Sequence, residues 1–279
     1  MMAMKFGLVW PYNVTRQVPH FSQLAEEAGW DGSFLGDAIW CEDPMIALAA
    51  AAMTTSRIRL GTLIIPVPLR RPWKIASESI AVDHLSDGRL ILGLGTGAVW
   101  MGWQGFPDEV TDNKARVEML DETIDILTLL YQRKQFDYDG KHYHLKLSAV
   151  DEIYYPPKPV QQPRIPLWAP AIWMRKNSMA RILKCDGVIV EKLGADGSPE
   201  EVSPADVSQI KAFVDGNRSL TTPFDIVING NTKGLDGAQQ RNKILPLAEA
   251  GATWWIEELI GESEEAIIDH IRRGPPVLE

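Results

Sequence analysis

Three carboxylates, Asp37, Glu191 and Glu257, stand at or just past the ends of short apolar runs, where strands would deliver them to one rim. Carboxylates facing each other across a cleft can serve as acid and base, for example in cleaving a glycosidic bond. The same run ends carry Trp10, Trp40, Trp100, Trp103, Trp168, Trp173 and Trp255, out of ten tryptophans in the chain. That concentration suits an aromatic-walled pocket for a planar or apolar ligand. Arg175 and Lys176, followed by Asn177 and Ser178 where a helical window opens, offer an anion charge, helix dipole and free N–H groups together.

Other chemistries are missing their parts. Histidines occur at 20, 84, 142, 144 and 270, none at a strand end, and the two cysteines, Cys41 and Cys185, lie far apart. Neither a metal-ligand spacing nor a nucleophile beside a histidine is visible. Gly93-Leu94-Gly95-Thr96-Gly97-Ala98 formally matches a dinucleotide fingerprint, but residues 99–107 hold two Trp, two Gly and a Pro. No helix opens there to receive a pyrophosphate, so what remains is a glycine turn that lets a flat ring approach the backbone.

Strands and helices must alternate to place these residues. Strand-like runs are read at 5–10 (KFGLVW), 33–36, 58–65 (IRLGTLII), 90–94 (LILGL), 166–169 (PLWA), 187–191 (GVIVE), 224–229 (FDIVIN) and 253–256 (TWWI). Helical windows fall between them, opened by Asp43-Pro44, Pro72, Ser203-Pro204 and Ser263. Residues 135–145 break the rhythm, alternating about Asp139-Gly140 as a two-residue hairpin turn would. Eight β/α units in 279 residues predict a (β/α)8 TIM barrel with a hairpin-bearing insertion between strands four and five. With no composition break, residues 1–279 read as one domain, its chemistry at the carboxyl ends of the strands.

Composition sets the partners. A net charge of −9, without long runs of one sign, disfavours nucleic acid and anionic membrane and favours a small-molecule substrate. The apolar stretch 44–53 is about half the length a membrane span requires. The first residues lead into a strand pattern with no signal-peptide architecture, so a reducing cytoplasm is expected. A homodimer is compatible with the sequence.

Several strings resemble the bacterial luciferase-like family of flavin- and deazaflavin-dependent oxidoreductases. They are Ile58-Arg59-Leu60-Gly61-Thr62, then Asp83-His84-Leu85-Ser86-Asp87-Gly88-Arg89-Leu90, then Leu92-Gly93-Leu94-Gly95-Thr96-Gly97. Gly29-Trp30-Asp31-Gly32, Pro156-Pro157-Lys158-Pro159-Val160-Gln161 and Cys185-Asp186-Gly187-Val188 support them. The resemblance implies a flavin across the strand ends, with FMN expected and coenzyme F420 the alternative. Its ring would meet Asp37, Thr62, Leu63, Ile64, Gly95, Thr96, Gly97 and Trp168, and its phosphate Arg175 and Lys176. It also implies a cis peptide at or beside Leu63-Ile64. Trp10, Trp40, Trp100, Trp103, Glu191, Trp255 and Glu257 are then expected to line the substrate pocket. The chemistry implied is oxygen insertion into, or hydride transfer to, a small apolar or aromatic substrate. Deazaflavin sugar and alcohol dehydrogenases of the family carry His after the Asp and an acidic residue after Gly-Thr-Gly, positions held here by Ala38 and Ala98. The rival reading from the residues is a barrel glycoside hydrolase built on Asp37, Glu191 and Glu257.

Overall fold

A computed structural model describes residues 4–278; Met1, Met2, Ala3 and Glu279, and with them part of the leader reading, lie outside the described residues. The first half runs β1 (Lys5–Trp10), α1 (Val18–Glu27), β2 (Gly32–Leu35), α2 (Pro44–Ala52), β3 (Arg59–Pro66), α3 (Pro72–Leu85), β4 (Leu90–Gly95) and α4 (Asn113–Tyr131). A hairpin of β5 (Asp137–Asp139) and β6 (His144–Lys146) follows. The second half runs β7 (Leu167–Ile172), α5 (Lys176–Ile182), β8 (Gly187–Glu191), α6 (Pro204–Asn217), β9 (Asp225–Gly230), α7 (Gly237–Ala250), β10 (Trp254–Glu258) and α8 (Glu264–Arg273). The eight strands other than the hairpin pair in parallel and close in the order β1-β10-β9-β8-β7-β4-β3-β2. This is the expected (β/α)8 barrel, with the hairpin inserted between its fourth and fifth strands.

The period-two alternation of each strand sorts its side chains into two cores. Val9, Phe34, Ile91, Trp168, Ile189, Val227, Trp254 and Ile256 fill the bore. Their neighbours along the strands, among them Leu8, Trp10, Leu60, Leu92, Leu167 and Trp255, pack outward against the helices. Helix starts follow the sequence signals: Asp43 accepts from the Met45 N–H at 2.8 Å, and Ser203 with Asp206 forms a reciprocal capping box. Ser263 caps α8.

The most recognisable string, residues 83–90, belongs to the amino-terminal end of the barrel and to scaffolding. Asp87 and Gly88 turn the chain with positive φ, 52° and 78°, which glycine adopts without cost. The Arg89 guanidinium donates to the carbonyls of Ser86, Ile58, Ala52 and Thr55, stitching the α2–β3 and α3–β4 connections together. Asp83 accepts from Gln161 Nε2 at 2.7 Å, which anchors the Pro-rich segment that ends the insertion.

Two local expectations change. Asp139 pairs with His144, so four residues, not two, connect the hairpin strands. The N–H groups of Lys141, His142 and Tyr143 all donate to Glu122 of α4, which holds the wider loop against the helix. The second change is strand length: β7 extends to Ile172 and β10 to Glu258, past the expected ends at 169 and 256. That extension moves the rim.

Candidate active site

Alternation decides which residues reach the bore at the carboxyl-terminal mouth. On β10, Trp254 and Ile256 point inward, so Glu258 does too, while Trp255 and Glu257 face the helices. On β8, Ile189 points inward and Glu191 follows it; on β9, Val227 sets the direction and Asn229 follows. Glu191, Asn229 and Glu258 therefore line one arc of the mouth. In the closed ring β9 stands four strands from β3 in either direction, so this arc faces the end of β3 across the barrel.

The end of β3 is irregular. Its register against β4 shifts between Thr62 and Ile65, and the Leu63-Ile64 peptide is cis. Leu63 and Ile64 are half-buried and cap the inner core from above. The glycines of β4 exist to let this bulge approach. A Cβ on Gly93 would lie 2.2 Å from the Thr62 carbonyl oxygen, and one on Gly95 2.7 Å from Ile64 Cδ1. Gly97, at φ +75°, is backed by Pro66 and Trp103. Their close backbone approach is thus made to the bulge, and the surface offered to the mouth is Leu63-Ile64 itself. Arg116 secures the turn: its Nε donates to the Thr96 carbonyl at 3.0 Å and its Nη2 to the carbonyls of Thr96 and Gly97, with the guanidinium 4.7 Å from the Trp103 ring.

The structure brings some of the expected site residues together and sends others elsewhere. Trp10 turns outward, donating from Nε1 to Ser33 Oγ at 2.7 Å and packing on Phe21. Trp255 also faces the helices, donating to Glu257 Oε1 at 2.7 Å, and Glu257 is wholly enclosed, accepting as well from the Thr232 N–H. Trp168, second residue of a strand that runs to Ile172, sits deep in the bore stacked on Phe34. Trp103 is buried beneath the glycine turn. Thr62 Oγ1 is used up on the Gly93 backbone, donating to its carbonyl at 2.9 Å and accepting from its N–H at 3.0 Å. Trp40 and Trp100 are 85% and 82% exposed, on the loops that follow β2 and β4; Trp40 meets Phe106 edge-on. Arg175 and Lys176 are exposed where β7 passes into α5. The three carboxylates of the hydrolase reading do not converge, because Glu257 points out of the barrel.

Charge at the mouth is unevenly matched. Arg70 donates Nε and Nη2 to Asp37 Oδ2 at 3.1 and 2.9 Å, and also meets Asp43 and Glu78. Burial still pushes the Asp37 carboxyl above its ordinary range against the opposing pull of Arg70. Burial raises the Cys41 thiol beside it to about 11, so this cysteine is no thiolate nucleophile. Glu191 is raised by burial, with Arg175 opposing; Glu258 is raised by burial, with Asn229 opposing and Glu257 adding. Both glutamate residues are nevertheless exposed to solvent. Among the described residues no His, Cys, Asp and Glu group could hold a metal, and no helix is long and apolar enough to cross a membrane.

Asn229, Glu258 and Arg70 were not singled out by sequence. A register one residue later on β10 would have exchanged Glu257 for Glu258, but the neighbouring Trp254-Trp255 pair gives no polar contrast to fix it.

The model of the luciferase-like monooxygenase family matches residues 4–213, which contain the β3 bulge, the glycine turn and Arg175. The chain belongs to the luciferase-like monooxygenase family. A Mycobacterium tuberculosis protein provisionally described as a coenzyme F420-dependent oxidoreductase is 35% identical over 154 residues, 52% of this chain and 42% of that one. The luciferase-like chain thus spans about half the length of the curated relatives it matches. Its fold is that of the F420-dependent tetrahydromethanopterin reductase of Methanopyrus kandleri (TM-score 0.74, 17% identity, 99% of each chain). It also matches the oxygenating constituent of 3,6-diketocamphane monooxygenase from a Pseudomonas putida plasmid, solved with FMN (TM-score 0.64, 17% identity, 89% and 73%). Family members are oxidoreductases, and these neighbours use F420 or FMN.

Proposed function

We propose that this protein is a flavin-dependent redox enzyme. It takes FMN at the carboxyl-terminal mouth and uses the reduced cofactor for oxygen insertion into, or hydride transfer to, a small apolar or aromatic substrate. The observation that carries the reading is the β3 bulge, which sets Leu63 and Ile64 as an apolar step at the rim, above a filled bore. A planar ring fits that step, with Asp37 and the Gly95-Thr96-Gly97 turn at its edge. The exposed Arg175 and Lys176 suit an anionic tail, and would hold it by charge-assisted hydrogen bonds. When bound, such a cofactor supplies two-electron chemistry, and a flavin can in addition activate dioxygen.

The protein's own share is positioning and exclusion of water. Arg70 fixes Asp37 at the end of β2, and Arg116 fixes the carbonyls of the glycine turn, so both edges of the ring site are rigid. Trp40, Trp100 and Phe106 stand as apolar walls that would shed water around a bound substrate. Coenzyme F420 is the second reading, favoured by the description of the 35% identical relative. Titrating the protein with FMN and with F420, and following oxygen uptake after reduction, separates the two. Saturable FMN binding with oxygen consumption supports the first; F420 binding without it supports the second. Binding of neither would end both.

A further inference from the structure

Arg116 is 4% exposed and carries a charge that no described residue neutralises. The other buried arginines among the described residues are Arg89, Arg164 and Arg181. Arg164 pairs with Asp186, Arg181 pairs with Asp121, and Arg89 lies in the field of Glu26 and Asp87. Arg116 has no such partner: burial lowers its pKa and no carboxylate opposes the shift. Its place adds to the cost, because it stands in the first turn of α4, where the helix dipole already disfavours a cation. The carbonyls of Thr96 and Gly97 accept from its Nε and Nη2, but they are dipoles and not counter-charges. A buried cation left unpaired is costly, and a negative charge brought by a ligand removes that cost. The balance is reversed on the other side of the β3 bulge. There Arg70 is shared by Asp37, Asp43 and Glu78, one cation among three carboxylates.

We propose that Arg116 is a positioning residue that sets the potential of the bound cofactor: its buried charge draws the anionic end of the reduced ring to the Gly95-Thr96-Gly97 turn, away from Asp37, and favours the reduced form over the oxidised one. The proposal rests on the reading of the mouth as a redox site. A flavin or deazaflavin ring that takes up two electrons and one proton gains one negative charge, which settles in its pyrimidine end. The unpaired cation therefore matches one redox state better than the other. Arg116 acts through its field, since its Nε and Nη2 are spent on the turn.

The test uses whichever of FMN and F420 binds. Its affinity is titrated oxidised and, under anaerobic dithionite, reduced, for the parent, Arg116→Met and Arg116→Lys, together with the midpoint potential of the bound cofactor and the thermal melt of each cofactor-free protein. The parent should bind the reduced form more tightly than the oxidised one, and so hold the cofactor at a potential above that of the free compound. Arg116→Met should weaken the reduced form about tenfold more than the oxidised one, as loss of a charge a few ångströms away does at a partly buried site. That ratio is a fall of about 30 mV in the midpoint of a two-electron couple. Arg116→Lys keeps the charge and gives up the fork, so it should recover most of the shift even where both states bind more weakly. An Arg116 that only braced the turn, or that only held a phosphate tail, would weaken both states equally and leave the potential unmoved. An unmoved potential in Arg116→Met overturns the proposal, and so does a parent potential at or below that of the free cofactor, which is readable even if the methionine variant fails to melt cooperatively. Binding of neither cofactor removes the redox reading and this proposal with it, whereas binding with an unmoved potential overturns the proposal alone.

Discussion

The chemistry of single side chains depends here on what each is tied to. Asp37 looks like a free acid at a strand end, yet Arg70 grips one of its oxygens with two N–H groups and holds it in place. By the resemblance, Ala38 and Ala98 stand where alcohol and sugar dehydrogenases of the family would carry a histidine and an acidic residue. Such groups typically contribute 100- to 10,000-fold each. Reconstituted with F420 and assayed against sugar phosphates and secondary alcohols, the protein should turn over more slowly than about one per second, near the low end for ordinary enzymes; faster turnover would show that a mouth carboxylate such as Glu191 has taken over the role of base. Arg175 and Lys176 carry a separate expectation. Replacing both by Ala should weaken cofactor binding at least roughly tenfold, measured by fluorescence titration, because a phosphate would lose its charge-assisted partners.

At the scale of elements, connections do as much as strands. The Glu26 carboxylate, at the end of α1, accepts from the N–H groups of Ser56, Arg57 and Ile58 as the chain enters β3. Burial works against its charge, but those three donors outweigh burial and hold its pKa below the ordinary value. Because the folded pKa is the lower one, the stabilisation is complete above the usual carboxyl range near about 4.3 and is lost as pH falls through the folded value. Glu26→Gln should cost about 1 kcal/mol at neutral pH and much less near pH 3, read from urea melts at the two pH values. An equal cost at both would remove the charge from the explanation. The β3–β4 contact is tested by Gly93→Ala, whose new methyl would collide with the Thr62 carbonyl. Overpacking of this kind costs about 1–3 kcal/mol or more, which should appear as a melting temperature several degrees lower.

For the molecule as a whole, closure is the decisive step. β1 pairs with β10 on one side and β2 on the other, so the first strand is an exposed edge until the last has formed. The matched family region ends at residue 213, within α6, before β9 and β10. A chain ending there should show no cooperative thermal transition by circular dichroism, because it leaves β1 and β8 as open edges and strips one side of the bore. A sharp melt would mean that closure contributes less than the pairing implies. Closure also sets the layout of the mouth, since it places the β8–β10 arc opposite the β3 bulge.

The sequence by itself determined the alternation of strands and helices, the caps at Asp43, Ser203 and Ser263, the inserted hairpin and the family, because each is written in local periodicity or in a contiguous string. The membership of the mouth was legible only in part. Trp40, Trp100, Leu63, Ile64, Glu191 and Arg175 were read from their places at or just past strand ends, and they lie at that end of the barrel. Trp10, Trp168, Trp255 and Glu257 share that signature, yet they face the helices or lie deep in the bore. The facing of a side chain turns on a single residue of register, and strands buried on both faces carry apolar residues at every position, so no polar alternation marks which way is in. Only the closed barrel fixed that direction. It turned Glu257 toward α8 and Glu258 toward Asn229, because ring closure leaves each strand one inward face and the rim belongs to whichever residue ends on it.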